Sequence, residues 1–123
     1  MKLEFRVWDN INKYYYDLYK DIFYIRDDGK VYFETYLDGL RDVSDRVNIE
    51  QYTGAKDKNG VRIFEGDLLR DAVNNDLYKV CWDSGNLTWV VRGVLGWSFN
   101  LSSLYEDVME VIGNIHQNKE LLK

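Results

Sequence analysis

Strand-length apolar runs alternate with clusters of Gly, Asn, Asp and Ser along most of this 123-residue chain. The first run, Leu3–Trp8, alternates apolar and charged side chains with the period of a half-buried β-strand. The chain contains no Pro, so the turns between the runs depend on Gly, Asn, Asp and Ser. Because no run has a long helical period, the sequence predicts a mainly β, or β-rich α+β, fold.

The strand-like segments and turn residues within the first 37 residues predict an antiparallel meander of short strands, with a hairpin that closes on Asp28-Gly29. A helix over residues 14–24 is an alternative, because four apolar residues there have helical spacing: Tyr15, Leu18, Tyr19 and Ile22. Residues 37–48 are rich in Asp, Arg and Ser, which favours a connection or one short helix. We therefore expect residues 1–46 to form a β-rich N-terminal extension, an antiparallel hairpin sheet followed by a connecting segment.

The second part of the chain contains five further strand-length segments, each bounded by turn residues, which is typical of a small barrel. We expect the barrel to occupy residues 47–115 within a domain of residues 47–123. Ser102 or Ser103 is a candidate cap for one helical turn, and Asn118 is a candidate cap for a short C-terminal turn that ends at Leu122.

Gln51–Arg70 combines three glycines with several carboxylates, which raises the question of a ligand site. An EF-hand loop with its Gly at Gly60 requires acidic residues where Ala55 and Gly66 stand. A phosphate loop requires Gly-Lys-Ser or Gly-Lys-Thr, which the chain lacks. The stretch is instead typical of a loop, a short strand, a bend and a longer strand.

Two glycines and one carboxylate carry that structural interpretation. Asn59-Gly60 is suited to a tight reversal, and Gly66 marks a bulge or bend before the next strand. Asp67 can accept backbone N–H groups that the bend leaves unpaired. Glu65 and Asp67 as an acid/base pair is the catalytic alternative, which the structural interpretation outweighs.

Charge disfavours binding to phosphates but does not exclude a local patch. The formal net charge is −5, and neither half of the chain is basic. The nearest candidate for a nucleic-acid patch comprises Lys56, Lys58 and Arg62, interleaved with Tyr52 and Phe64.

Catalytic machinery is not identifiable from the sequence. His116 is the only histidine and Cys81 the only cysteine, which removes His-pair metal sites and an intrachain disulfide. Cys81 lies in an apolar stretch and is expected to pack as a small hydrophobic residue rather than to act as a nucleophile. We therefore expect no enzyme activity, no metal and no cofactor. The N-terminus lacks the pattern of a signal peptide and no segment is apolar enough to cross a membrane, so we expect a cytoplasmic protein without membrane association.

Three motifs together resemble the YopX family of phage and prophage proteins. They are the opening Phe-Arg-Val-Trp-Asp, the central stretch after Gln51 and the closing Val-Ile-Gly-Asn-Ile. The central family motif corresponds to Tyr52, Thr53, Gly54, Asp57, Lys58, Asn59, Gly60, Glu65, Gly66 and Asp67. Lys119 departs from the family pattern, where a Pro is more usual. The resemblance implies an SH3-like form for the small barrel and a prophage context in a bacterial host, and it implies no reaction.

Together these observations predict a non-catalytic accessory protein that binds a phage or host protein and forms a homo-oligomer. The abundance of Tyr and Trp, ten and four residues, supplies both core side chains and candidate interface anchors. A nucleic-acid-binding small barrel is the alternative.

Overall fold

The computed structural model describes residues 4–93, 96–101 and 107–122 and confirms a mainly β protein, with 53% of these described residues in strands. All pairings between its strands are antiparallel among those described, as expected. Within these residues no helix is long and apolar enough to cross a membrane. The chain divides into an N-terminal unit, Phe5–Glu50, and a C-terminal unit, Met1–Glu4 with Gln51–Lys123. The predicted division into an N-terminal extension of residues 1–46 and a domain of residues 47–123 stays a prediction.

The N-terminal unit contains five short strands and the beginning of a sixth. In chain order these are β1 (Phe5–Asp9), β2 (Tyr14–Tyr15), β3 (Phe23–Ile25), β4 (Val31–Thr35), β5 (Gly39–Asp42) and β6 (Val47–Lys56). β1 lies between β2 and β6, whereas β3, β4 and β5 form a separate sheet in that order. Four buried valines form its core: Val7, Val31, Val43 and Val47.

The hairpin between β3 and β4 closes on Asp28-Gly29, as predicted. Gly29 has a φ of 86°, and the Asp28 carboxylate accepts the backbone N–H of Lys30 at 3.0 Å. The register places Ile25 opposite Val31 and Phe23 opposite Phe33. The rings of Phe23 and Phe33, with centroids 5.0 Å apart, pack against the valine core.

Three details of the N-terminal unit differ from the sequence expectation. Residues 14–24 contain strand residues and a turn rather than a helix. The first 37 residues do not form one meander, because β2 pairs with β1 and β3 pairs with β4 in two different sheets. Residues 37–48 are neither a plain connection nor a helix, because β5 lies within them and pairs with β4. That strand is fixed by its partner and not by an apolar pattern, since all four of its residues are exposed.

The C-terminal unit consists mainly of a five-stranded sheet. Its strands are β7 (Arg62–Phe64), β8 (Asp67–Asp71), β9 (Leu77–Asp83), β10 (Thr88–Gly93), β11 (Ser98–Asn100) and β12 (Met109–Asn114). The five-stranded sheet has the order β11-β10-β9-β8-β12 and curls into a half-barrel, while β7 pairs with β6. The buried side chains Ile63, Leu69, Val80, Val91 and Met109 form its core.

The end of β12 is irregular, with a register shift between Val111 and Gly113. A Cβ at Gly113 would lie 2.2 Å from Oδ1 of Asn118, so this close approach requires glycine. A 3-10 helix, Lys119–Leu122, begins directly after Asn118, as expected. Asn118 Oδ1 accepts the backbone N–H of Asn114 at 3.1 Å and so closes the turn after β12. The predicted helical turn capped by Ser102 or Ser103 lies outside the described residues.

Candidate functional site

The Glu65–Asp67 turn between β7 and β8 is built around Gly66. Gly66 has a φ of 87°, which only glycine adopts readily, as the sequence predicted. Its N–H donates to the carbonyl of Val80 at 3.0 Å, and its carbonyl accepts the N–H of Ile115 at 2.9 Å. Asp67, which is 2% exposed, accepts the N–H of Phe64 at 2.8 Å, again as expected. Gly66 and Asp67 therefore stabilise the turn between β7 and β8.

Asp57 anchors the reversal that Asn59-Gly60 makes between β6 and β7. Its carboxylate accepts the N–H groups of Asn59 and Val61, both at 2.8 Å, and that of Val111 on β12 at 2.9 Å. Burial raises the pKa of Asp57, but these hydrogen bonds outweigh that effect and lower it below its usual value. Gly60 has a φ of 79°, as predicted. This turn also contributes to the fold rather than to a ligand site.

The Tyr52-Thr53-Gly54 segment of the central motif lies within β6. Tyr52 is paired with Phe64 on β7, with ring centroids 5.6 Å apart. The Thr53 hydroxyl donates to the carbonyl of Ile63 at 2.7 Å, and Gly54 has a φ of 91°. These contacts hold β6 against β7 at an irregular point in their register.

Asp9, from the opening motif, is fully buried in the N-terminal unit. Its carboxylate accepts the backbone N–H groups of Ile11 and Asn12 at 2.8 and 2.9 Å, and the Tyr16 hydroxyl donates to it at 2.5 Å. Burial raises the pKa of Asp9, but the hydrogen bonds, led by that of Tyr16, outweigh it and lower the pKa to about 2. Burial and the neighbouring carboxylate raise the pKa of Tyr16. The pair stabilises the turn after β1.

The candidate nucleic-acid patch is largely neutralised by ion pairs. The Arg62 guanidinium forms a salt bridge with the Glu4 carboxylate, and Lys58 Nζ lies 3.9 Å from a carboxylate oxygen of Glu110. Lys56 is exposed and stands opposite Arg62 in the β6–β7 register. Two of the three predicted cations are thus paired with carboxylates within the C-terminal unit.

Cys81 and His116 occupy ordinary structural positions. Cys81 is half-buried on β9, and its thiol lies 3.8 Å from the carbonyl oxygen of Lys79. The backbone N–H of His116 donates to Asn114 Oδ1 at 3.0 Å in the turn after β12. Among the described residues, no group of three His, Cys, Asp or Glu side chains could hold a metal ion.

A pocket in the C-terminal unit brings together residues that no sequence motif groups. Trp82 on β9 stands directly opposite Trp89 on β10. Their ring centroids are 5.0 Å apart with an interplanar angle of 68°, an edge-to-face arrangement. Gln51 and Glu65 also line this cleft, which has a volume of about 320 Å³. Among the described residues, the pocket therefore brings together two tryptophans, one glutamate and one glutamine.

The two indoles have different surroundings. Trp89 packs against the core cluster and is half-buried, whereas Trp82 is 44% exposed. Glu65 is placed by the turn that Gly66 makes, and its backbone N–H donates to the carbonyl of Gln51 at 3.0 Å. The walls of the pocket are thus attached to the core and to the hydrogen-bonded Glu65–Asp67 turn. Such a site is suited to binding, because its aromatic surface is held in place before any ligand arrives.

The sequence does contain a signal for the Trp pair. Trp82 and Trp89 flank the turn of a hairpin, in which Asp83 accepts the N–H of Gly85 at 3.0 Å and stands opposite Thr88. Residues at such matched positions lie side by side on one face of the sheet. Pairing of the two strands across this hairpin therefore places Trp82 beside Trp89.

Fold and site together define a small, mainly antiparallel β protein with a tryptophan-lined pocket on its C-terminal unit. The chain belongs to the YopX protein family, whose model matches residues 4–123. The resemblance of the three motifs to that family is therefore confirmed.

Two solved structures are similar over nearly the whole chain. Protein EF1440 from Enterococcus faecalis is 27% identical, with a TM-score of 0.66 over 100% of this chain and 99% of that one. YopX from Bacillus subtilis is 22% identical, with a TM-score of 0.66 over 97% of each chain, which supports the shared fold. No curated protein sequence matched the chain.

Proposed function

We propose that this protein is a non-catalytic protein-binding module that forms homo-oligomers and acts in the cytoplasm of a bacterial host as a prophage accessory protein. Its binding surfaces are the Trp82–Trp89 pocket and the exposed apolar side chains of the N-terminal unit. The C-terminal unit, in this proposal, is an SH3-like barrel of which the curled five-stranded sheet is the larger part. The prophage context is carried over from the family.

The exposure of large apolar side chains is the observation that carries the proposal. Tyr19 and Tyr36 are fully exposed and Leu37 is 90% exposed. Tyr36 and Leu37 lie together in the turn between β4 and β5, so the tip of this hairpin presents an aromatic and an aliphatic side chain to solvent. Apolar residues grouped in this way favour contact with another protein, because burying them removes apolar surface from water.

The outer strand of the five-stranded sheet supports self-association. Among the described strands β11 lies at the sheet edge, and each of its three residues is exposed. Phe99 on this strand is 44% exposed, and Trp97 directly before it is 68% exposed. An edge strand has unpaired backbone groups that a second copy can pair with. Aromatic side chains at such an edge would anchor the contact.

Nucleic-acid binding is the second candidate, favoured only by the exposed aromatic rings. Trp82 and Phe99 could stack on bases. Against this, Lys58 and Arg62 are already paired with Glu110 and Glu4, and the chain has a net charge of −5. Phosphate contacts need available cations. The balance of charges therefore favours a protein partner.

The test is affinity purification of the tagged protein from its bacterial host, with and without nuclease, together with a salt titration against DNA and RNA. We expect a protein partner that stays bound after nuclease treatment. Submicromolar binding to DNA or RNA that weakens steeply with salt, without a nuclease-resistant partner, would contradict the proposal.

Self-association is tested by light scattering of the purified protein. A double substitution at the hairpin tip, Tyr36→Ser with Leu37→Ser, and a substitution on the sheet edge, Phe99→Ser, are compared with Val73→Ser. Val73 is a control because it is 73% exposed in a turn outside both surfaces. We expect a wild-type mass above that of the 14.6 kDa chain, lowered by at least one surface variant and unchanged in the control. A monomeric wild-type protein would exclude the homo-oligomer.

A further inference from the structure

We infer that the Trp82–Trp89 pocket binds a proline-rich segment of a partner protein, held in the extended polyproline II conformation. The inference rests on the proposed function, since it names the chemistry of the protein partner proposed for this pocket. Three features of the described residues carry it. They are the exposed surface of the two indoles, their N–H donors and the backbone of Leu87 in the turn between them.

The two indoles offer aromatic surface that is fixed in place. Trp82 is 44% exposed, and the half-buried Trp89 packs against the core cluster. Their rings are inclined to each other by 68° at a centroid distance of 5.0 Å, and both line the same cleft of about 320 Å³. Apolar rings are suited to such a surface, because they bury aromatic carbon without bringing polar atoms against it.

Both indoles also carry an N–H donor for which the described residues supply no acceptor. Neither Trp82 nor Trp89 donates a hydrogen bond to another residue in the part of the chain that the structure describes. In the same part of the chain, Arg46 Nε is the only buried side-chain nitrogen or oxygen without a hydrogen-bond partner, so solvent reaches the Trp89 N–H. Because buried indole N–H groups usually find an acceptor, a ligand that covers this pair should offer oxygen atoms.

A polyproline II segment matches this combination of aromatic surface and N–H donors. Proline has no backbone N–H, so a run of prolines can lie against an indole face without burying an unpaired donor. The carbonyl groups of this conformation make no internal hydrogen bonds and are free to accept from an indole N–H. The conformation is also preformed, so that binding orders little of the segment.

The turn between the two strands adds an exposed leucine in a costly conformation. Leu87 is 74% exposed and has a φ of 53°, which leucine rarely adopts. The turn between β8 and β9 is built in the same way, because Asp71 and Asp83 each accept the backbone N–H groups two and three residues further on. That turn has Asn75 in the place of Leu87, with a φ of 64° that suits Asn. The turn itself does not require leucine, so we assign Leu87 an apolar contact with the bound segment.

Two other occupants of the pocket fit less well. A second copy of this chain cannot supply the segment, since none of its 123 residues is Pro. A nucleotide base also stacks on indoles, but a chain with a net charge of −5 repels its phosphate. A different protein with a proline-rich segment is therefore the occupant that the lining and the charge favour.

The test uses the 123-residue protein labelled with ¹⁵N and the probe acetyl-tetraproline amide. The chain has four Trp residues, and substitution of each by Phe assigns the four indole N–H signals. Trp8, which is 2% exposed, is the buried control, and Trp97, which is 68% exposed, reports non-specific contact with an exposed indole. Acetyl-tetraalanine amide is the control peptide, because it has the same number of residues but keeps its backbone N–H groups.

We expect saturable shifts of the Trp82 and Trp89 signals, with a Kd on the order of 1 mM for so short a segment. At least one of these two indole protons should move downfield, as a new hydrogen bond to a carbonyl requires. The alanine peptide should bind at least about threefold more weakly. Equal binding of the two peptides, or an equal shift of the Trp97 signal, would overturn the inference.

Two variants separate the aromatic surface from the leucine. Trp82→Leu should weaken binding of the proline peptide at least about threefold, because one aromatic face and its N–H are lost. Leu87→Asn should weaken it about twofold without lowering the urea midpoint, because Asn adopts the left-handed conformation more readily. Val73→Ser, at an exposed apolar position of the turn after β8, is the matched control and should leave binding unchanged.

The backbone amide signals outside the pocket check that each variant is folded. Proline-peptide binding that survives Trp82→Leu would overturn the inference, and binding that survives Leu87→Asn would remove Leu87 from the contact. Adenosine monophosphate or cellotriose that shifts the Trp82 signal more strongly than the proline peptide would overturn the inference in favour of base or sugar stacking.

The same variants distinguish this inference from the proposed function. Binding of the proline peptide without any nuclease-resistant protein partner supports the pocket chemistry and removes the protein-binding proposal. A protein partner that is captured equally by wild type and Trp82→Leu, with no peptide binding, supports the proposed function and removes the proline site.

Discussion

The N-terminal and C-terminal units are both built from short antiparallel strands, but they bury different kinds of side chain. The core of the C-terminal unit contains Ile63, Leu69 and Met109 besides two valines, whereas that of the N-terminal unit consists of four valines with aromatic rings packed against it. Among the residues that the structure describes, most of the exposed large apolar side chains belong to the N-terminal unit, including Ile11, Tyr19, Ile22, Tyr24, Ile25, Tyr36, Leu37 and Leu40.

This difference shows that a strand-rich composition does not by itself set how much of a unit is buried. A valine side chain buries less apolar area than Leu, Ile or Met, and in the N-terminal unit the buried ring of Trp8 and the half-buried rings of Phe23 and Phe33 add to the area that the valines bury. Buried charged groups supply part of what holds it together: Asp9 receives several hydrogen bonds, and Glu50 accepts one from Arg6 at 2.8 Å and one from Tyr15 at 2.8 Å. The C-terminal unit has such anchors as well, since the buried carboxylates of Asp57 and Asp67 accept backbone N–H groups. The two units therefore differ in their apolar cores and in their exposed apolar side chains rather than in the use of polar anchors.

The largest expected effect concerns apolar burial. It compares a Leu→Ala substitution at a buried position of the C-terminal unit with the same substitution at an exposed position of the N-terminal unit. Leu69→Ala should lower the free energy of unfolding by about 3 kcal/mol, because Leu69 is fully buried and its removal leaves a cavity. Leu37→Ala, at a position 90% exposed, should change it by less than about 0.5 kcal/mol. Urea unfolding followed by circular dichroism measures both. A comparable loss for the two variants would mean that the hairpin tip is packed in solution.

The second prediction tests the polar anchor of the N-terminal unit. Asp9→Asn should destabilise this unit by about 2 kcal/mol, since an amide cannot accept all the hydrogen bonds that the buried carboxylate accepts. Asp45→Asn is the control, because Asp45 is exposed in the same unit. The indole signal of the buried Trp8, followed in urea, reports on this unit. Equal midpoints for Asp9→Asn and wild type would show that the unit does not depend on the anchor.

The third prediction concerns the turn that places Glu65 at the pocket. Gly66→Ala should lower the free energy of unfolding by about 1–2 kcal/mol, because a φ of 87° is costly for a residue with a Cβ. Gly85→Ala is the matched control: a Cβ there would lie 3.4 Å from Asp83 Oδ1, an ordinary contact, and we expect little change or slight stabilisation. Urea midpoints that agree for the two variants would show that Gly66 is no conformational requirement.

The smallest expected effect is a pH dependence that belongs to the N-terminal unit. The pKa of Asp9 is about 2 in the folded protein and near 3.8 when unperturbed, so its ionised form stabilises the fold. This contribution is complete above about pH 5 and is lost as the pH falls through 3.8 toward 2. The Trp8 midpoint in urea should therefore fall between pH 5 and pH 3 more in wild type than in Asp9→Asn. If the urea midpoints of the two proteins fell equally between pH 5 and pH 3, other carboxylates would be responsible for the loss of stability in acid.

The turns were the part of the fold most accessible from sequence. Gly29, Gly60 and Gly66 have the positive φ values that their local sequences predicted, and Asp67 accepts the backbone N–H expected of it. Turn chemistry is local, because an Asn-Gly or Asp-Gly pair carries its conformational preference wherever it occurs. The same locality explains why the sequence of the central family motif predicts turns and a bend.

Strand β5 and the two-sheet arrangement were not accessible in the same way. Gly39–Asp42 contains no apolar alternation, and it is a strand because β4 offers a backbone ladder, with Phe33 opposite Arg41. Pairing of this kind depends on residues that lie nearby in space, so propensity within the segment does not reveal it.

By itself the sequence determined the strand-rich class, the positions of the Gly-dependent reversals and the family, because each depends on residue types at short separations. Only the tertiary structure decided which strands share a sheet, that Asp57 bonds to Val111 across 54 residues, and that Trp82, Trp89, Gln51 and Glu65 line one pocket. These are contacts between distant segments, and they follow from the simultaneous burial and pairing of many strands. The pocket chemistry is therefore a property of the fold, assembled from side chains whose separate local patterns predict only strands and turns.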